Sequence, residues 1–85
     1  MKVYSISSPE QLNRAADLVK WDRDRKKVKD FADRWYKFSM KRDVTLEVSR
    51  NARIYYIDQD GKKTQLATLY VVGAREFAKE ELTEI

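Results

Sequence analysis

The chain has 85 residues, 42% hydrophobic and 12% aromatic, with 18 basic and 14 acidic side chains and a net charge of +4. That length makes one small domain, residues 1–85, able to bury roughly 60–65% of its unfolded surface. It contains no cysteine and no histidine, which excludes a disulfide framework, Cys–His and Ser–His–Asp catalysis and the common zinc sites.

Residues 2–7, Lys-Val-Tyr-Ser-Ile-Ser, alternate polar and apolar and read as a short strand with Tyr4 and Ile6 on one face. Ser8-Pro9-Glu10-Gln11 is a helix start. Ser8 suits the N-cap, Pro9 the first helical position, where its missing N–H would be unpaired anyway, and Gln11 completes a capping box. Leu12, Ala15, Ala16 and Val19 follow at helical spacing, then Val28, Phe31, Ala32, Trp35 and Phe38. Continuing the first stripe lands on Arg23, Lys26 and Lys27, so the two stripes are out of phase. Two helices separated near residues 20–24, or one bent helix, are expected, with Asp22 or Asp24 as a cap. Met40 to Asp43 reads as a connection.

Residues 44–49 alternate as a half-buried strand, and Arg50-Asn51-Ala52-Arg53 reads as a turn with Asn51 able to take the left-handed conformation. Two β-rich runs between Arg53 and Val72 flank Asp60-Gly61, a hairpin signal because a type I′ turn needs φ > 0 at both central residues. Gly73 is expected to end the last strand. Ala74, Phe77, Ala78 and Leu82 then give a terminal helix running toward Ile85. The fold class is α+β, with an antiparallel three- to four-stranded sheet in the order β-α(α)-β-β-β-α and helices on at least one face.

Two-residue loops at both turns would pair Val48 with Tyr55, Ile57 with Thr64, Tyr55 with Leu66 and Arg53 with Thr68. One face then collects Val44, Leu46, Val48, Tyr55, Ile57, Leu66 and Tyr70 as the core. The other presents Ile54, Tyr56, Ala67, Leu69 and Val71 as an apolar patch. Such a patch is covered by a second helical layer, pairs two copies as a homodimer, or binds a partner. A longer loop at either turn exchanges the faces.

The remaining chemistry is sparse. Gly61 and Gly73 are isolated, so there is no glycine-rich phosphate loop. Carboxylates that share a helix face, such as Asp30 and Asp33, lie among lysines and arginines and read as solvated ion pairs. No enzyme activity, metal or cofactor is expected. No stretch approaches the ~20 apolar residues of a membrane span and no charged-then-apolar leader opens the chain, so a cytoplasmic protein with no membrane contact is expected.

The basic clusters carry more weight. Lys20, Arg23, Arg25, Lys26, Lys27 and Lys29 crowd one short stretch, partly offset by Asp22 and Asp24, and Lys41 and Arg42 follow at the end of the helical region. Trp21 borders the cluster, either to stack on a base or to be partly buried in a helix–helix contact. The leading reading is a small non-enzymatic binding module that contacts nucleic acid through these eight cations, by phosphate neutralisation. The alternative is a protein-interaction or inhibitor module, such as a small regulator or phage-type counter-defence protein. It would engage an acidic protein surface through the basic helix, or a partner through Ile54, Tyr56, Leu69 and Val71.

From about Pro9 to Ile85 the order helix–three strands–helix resembles the double-stranded RNA-binding domain. The resemblance is in element order alone. That family opens its final helix with a basic run and carries a Gly-Pro-x-His-type motif between its first two strands. Here those places read Ala74-Arg75-Glu76-Phe77 and Arg50-Asn51-Ala52-Arg53.

Overall fold

The computed structural model describes residues 3–41 and 45–85, and for residues 36–41 the backbone alone. Its elements are β1 (Tyr4–Ile6), α1 (Pro9–Ala16), α2 (Asp22–Lys41), β2 (Thr45–Val48), β3 (Arg53–Ile57), β4 (Lys63–Thr68), α3 (Val71–Glu81) and β5 (Thr83–Glu84). The class is α+β with an antiparallel sheet, as expected. The sheet has five strands, ordered β4-β3-β2-β1-β5. β1 joins β2, with Tyr4 opposite Val48 and Ile6 opposite Leu46. The unexpected strand is β5: α3 starts at Val71, before Gly73, and stops at Glu81, after which Thr83 pairs with Ser5.

The start of α1 follows its sequence. The Ser8 hydroxyl accepts the Gln11 amide at 3.2 Å. The Gln11 carboxamide reaches one residue further back than a capping box requires, accepting the Ser7 amide at 2.8 Å. The break after α1 has a non-local cause. The Lys20 amide donates to the Thr68 carbonyl (3.1 Å) and the Tyr70 amide to the Leu18 carbonyl (2.8 Å), which creates a bridge between Val19 and Leu69. Val19 is fully buried, as its place in the apolar stripe suggested, but as an extended residue. Trp21, not Asp22 or Asp24, holds the capping position of α2; its carbonyl accepts the Arg25 amide at 2.9 Å. The two aspartates occupy the first turn, where the helix dipole favours negative charge.

Both hairpin turns are one residue longer than the two-residue loops expected. The Asp58 amide donates to the Lys62 carbonyl (3.2 Å) and the Gly61 amide to the Asp58 carbonyl (3.0 Å). The loop is therefore Gln59-Asp60-Gly61, with only Gly61 left-handed, at φ 81°. This is the three-residue hairpin built on a tight turn plus one left-handed residue, not a two-residue type I′ loop. The first turn repeats it: the Ser49 amide donates to Arg53 and the Ala52 amide to Ser49, both at 2.9 Å. Its left-handed residue is Ala52, at φ 58°, and not Asn51.

The extra residue in the first turn slips β3 by one against β2, so Leu46 faces Tyr56 and Val48 faces Ile54. A one-residue slip moves every side chain of a strand to the other face. In β4 the slip is undone partway by a bulge. Tyr55 pairs with Gln65, yet Ile54 pairs with Ala67 and Arg53 with Thr68 as expected. Leu66 and Ala67 are both buried there.

The core face consequently combines Ile6, Leu46, Val48, Ile54 and Leu69, all closed to solvent, with Leu12, Val19 and Val28 from the helical layer and the segment joining α1 to α2. Phe31 of α2 stacks on Tyr56, ring centroids 5.5 Å apart. Leu46, Val48 and Leu66 lie on the core face as expected, whereas Tyr55 and Ile57 are only half-buried on the opposite face. Tyr70 precedes α3 and is exposed. Val44 lies outside the described residues. Across the second face run Thr83, Ser5, Glu47, Tyr55 and Gln65, none of which belongs to the buried core.

Candidate nucleic-acid interface

The basic stretch is divided by the fold. Arg25 turns inward: its Nε has no exposed surface, Nη2 reaches the Val19 carbonyl at 3.4 Å and Nη1 lies 4.0 Å from Asp22. Lys29 pairs with Asp17 at 3.7 Å, tying α2 to the end of α1. These two cations hold the helix junction. The Lys41 side chain and all of Arg42 lie outside the described residues.

Lys20, Arg23, Lys26 and Lys27 remain, all exposed. Among the described residues none of the four has an ion-pair partner. Arg23 lies three and four residues from Lys26 and Lys27, so helical geometry sets these three on one outward face. Lys20 is fixed just before the helix by its backbone bond to Thr68.

Trp21 sits between Lys20 and this face and is 57% exposed. At that exposure the indole is mostly open and partly covered. The bridge at Val19 holds the backbone on one side of Trp21 and the first turn of α2 holds it on the other, so the indole is presented from a fixed base. The positive end of the 20-residue helix adds to the local potential. Asp22 and Asp24 reduce it, which leaves a modest excess of cations over carboxylates.

The apolar set proposed for a partner does not form a surface. Ile54 and Leu69 are fully buried, and Tyr56 packs against the core cluster under Phe31. The one-residue slip puts them on the covered face, which removes the sheet-face version of the protein-interaction reading. Val71 alone is open, 41% exposed at the start of α3. No group of three or more acidic side chains among the described residues could hold a metal ion. No described helix is long and apolar enough to cross a membrane.

No protein-family model, no curated protein and no solved structure matches this chain.

Proposed function

We propose that the chain is a small non-enzymatic module that binds single-stranded nucleic acid at the start of α2. The observation that carries this reading is Trp21, exposed beside four cations that have no ion-pair partner among the described residues. An exposed indole on a fixed backbone costs little ordering entropy to stack on an unpaired base, and lysine and arginine around it neutralise the flanking phosphates. A duplex offers phosphates but no free base face, so single strands are preferred. Recognition rests on stacking and charge and carries little sequence preference.

The test is a titration of a fluorescently labelled oligothymidylate and of a duplex, at several salt concentrations, with the whole chain. Four phosphate contacts predict that log affinity for the single strand falls against log salt with a slope of about −3. Trp21→Ala is expected to cost about 1–3 kcal/mol of single-strand affinity and to leave duplex binding nearly unchanged. Lys26→Glu with Lys27→Glu should flatten the salt slope. Absence of binding to either probe at low salt would defeat the proposal.

A further inference from the structure

Between α3 and the first hairpin turn lies a groove of about 620 Å³ that no part of the nucleic-acid reading uses. Its floor is apolar and fixed: Val48, Ala52, Ala74 and Ala78 are each at most 3% exposed. The alanines explain why the space is open. At 74 and 78, one helical turn apart, they hold α3 against the domain while leaving no side chain long enough to fill the gap.

The banks are basic. Arg50, on the turn, stands on one side, and Arg75 and Lys79, one turn apart on α3, stand on the other. All three are exposed, and among the described residues none has an ion-pair partner. Glu84 is the only acidic residue among the described residues of the lining. Helical spacing continues the apolar strip from Ala74 and Ala78 forward to Leu82, a length of about 12 Å. An extended chain of roughly four residues has that length.

From the narrow apolar floor, the strip's length and the three free cations on its banks, we infer that this groove docks an extended acidic segment of a partner protein. Apolar anchors of the segment lie on the alanine floor, and alternating carboxylates reach Arg50 on one bank and Arg75 and Lys79 on the other. The charge pattern selects acidic segments and disfavours basic ones. The small floor residues favour one or two large anchors in place of many small contacts. Because the groove shares no residue with the Trp21 surface, its failure and the failure of nucleic-acid binding are separate results.

The probe is a short fluorescent peptide that alternates glutamate with leucine and phenylalanine, mixed with the intact chain and followed by anisotropy and by backbone amide shifts. Two controls replace its glutamates with glutamine or its apolar residues with alanine. The acidic apolar peptide should bind and shift the amides of Ser49, Ala74 and Ala78, with each control roughly fivefold weaker or worse. Arg75→Glu with Lys79→Glu should weaken it by roughly tenfold. Arg50→Glu tests the opposite bank separately, and circular dichroism checks that each variant is folded. Reversing Arg23, Lys26 and Lys27 should leave peptide affinity within about twofold, since these exposed charges lie outside the groove. The inference is overturned if the peptide does not bind, if the shifts fall on residues 20–27, or if the glutamine peptide binds equally well. Decanoate occupying the groove while the peptide does not would overturn it as well, by identifying a site for small amphipathic acids.

Discussion

The two turns at the ends of β3 share one backbone design and differ in what holds it. In each, an amide closes a three-residue loop onto the residue before it, and that residue's side-chain oxygen accepts the amide four positions on. Ser49 Oγ accepts from Arg53 at 3.4 Å, and Asp58 Oδ1 from Lys62 at 2.9 Å. The left-handed position is Gly61 in one turn and Ala52 in the other. Gly61 is exposed, and a Cβ built there meets nothing within 4 Å. Ala52 is 2% exposed, and its carbonyl takes the Leu69 amide at 2.7 Å. At the free turn local residue chemistry supplies the conformation; at the docked turn a tertiary contact imposes it on a residue that disfavours it. The docked turn is also the one that carries a candidate site, because docking fixes Arg50 beside the groove, whereas Lys62 on the free turn faces solvent.

The largest test of this comparison concerns the faces the first turn assigns. Ile54 and Ile57 lie on one strand, three residues apart, on opposite sides of the sheet. Ile54→Ala removes a fully buried side chain and should cost about 3 kcal/mol, within the usual range for such cavities. Ile57→Ala removes a half-buried one from the second face and should cost below about 1 kcal/mol. Urea unfolding of the two variants measures both. Equal costs, or a larger cost at Ile57, would mean that the first loop has two residues and that the faces are exchanged.

The same contrast explains what the sequence made legible. Strong local signals mark real elements: the Ser8-Pro9 helix start, the stripes at Leu12 and Val28, the alternation around Leu46, and the stripe Ala74, Phe77, Ala78. Hairpins are visible at both turns, but loop length is not: at the second, Asp60-Gly61 suits a two-residue and a three-residue loop alike, and at the first the left-handed residue is not the inviting Asn51 but Ala52. That single residue decided which of Ile54 and Tyr55 is buried, and so turned an anticipated contact patch into core. The segment between α1 and α2 was obscure for a related reason. No glycine or proline breaks it; Thr68 and Tyr70, about fifty residues away, do. Half of the basic cluster was legible as surface, since Arg23, Lys26 and Lys27 recur on one helical face. Nothing in sequence spacing shows that Arg25 and Lys29 are used at the junction, or that Arg50 meets Arg75 and Lys79 across a groove.

Gly61→Ala should have an intermediate effect. The added methyl has open space, so the left-handed backbone is the only obstacle, at about 1–2 kcal/mol. The reduced freedom of the unfolded chain returns roughly 0.4–1 kcal/mol of that. A net loss of about 1 kcal/mol is expected from the shift in urea midpoint, with no change in amide shifts around Arg50.

The smallest effect, Ala52→Gly, separates the two turns most sharply. Glycine relieves the left-handed strain that alanine bears, worth about 1–2 kcal/mol. Against this stand a buried methyl group, about 0.8 kcal/mol, and the added freedom of the unfolded chain, roughly 0.4–1 kcal/mol. The terms nearly cancel, and a change within about 0.5 kcal/mol of zero is expected. A gain well above about 1 kcal/mol would mean that the Ala52 methyl contributes little to packing and that only strain distinguishes the turns. A clear loss would mean that the methyl anchors the turn more strongly than its area implies. Because Ala52 also belongs to the groove floor, acidic-peptide binding by a folded Ala52→Gly chain reads the turn and the floor together, a coupling that the free turn at Gly61 has no means to show.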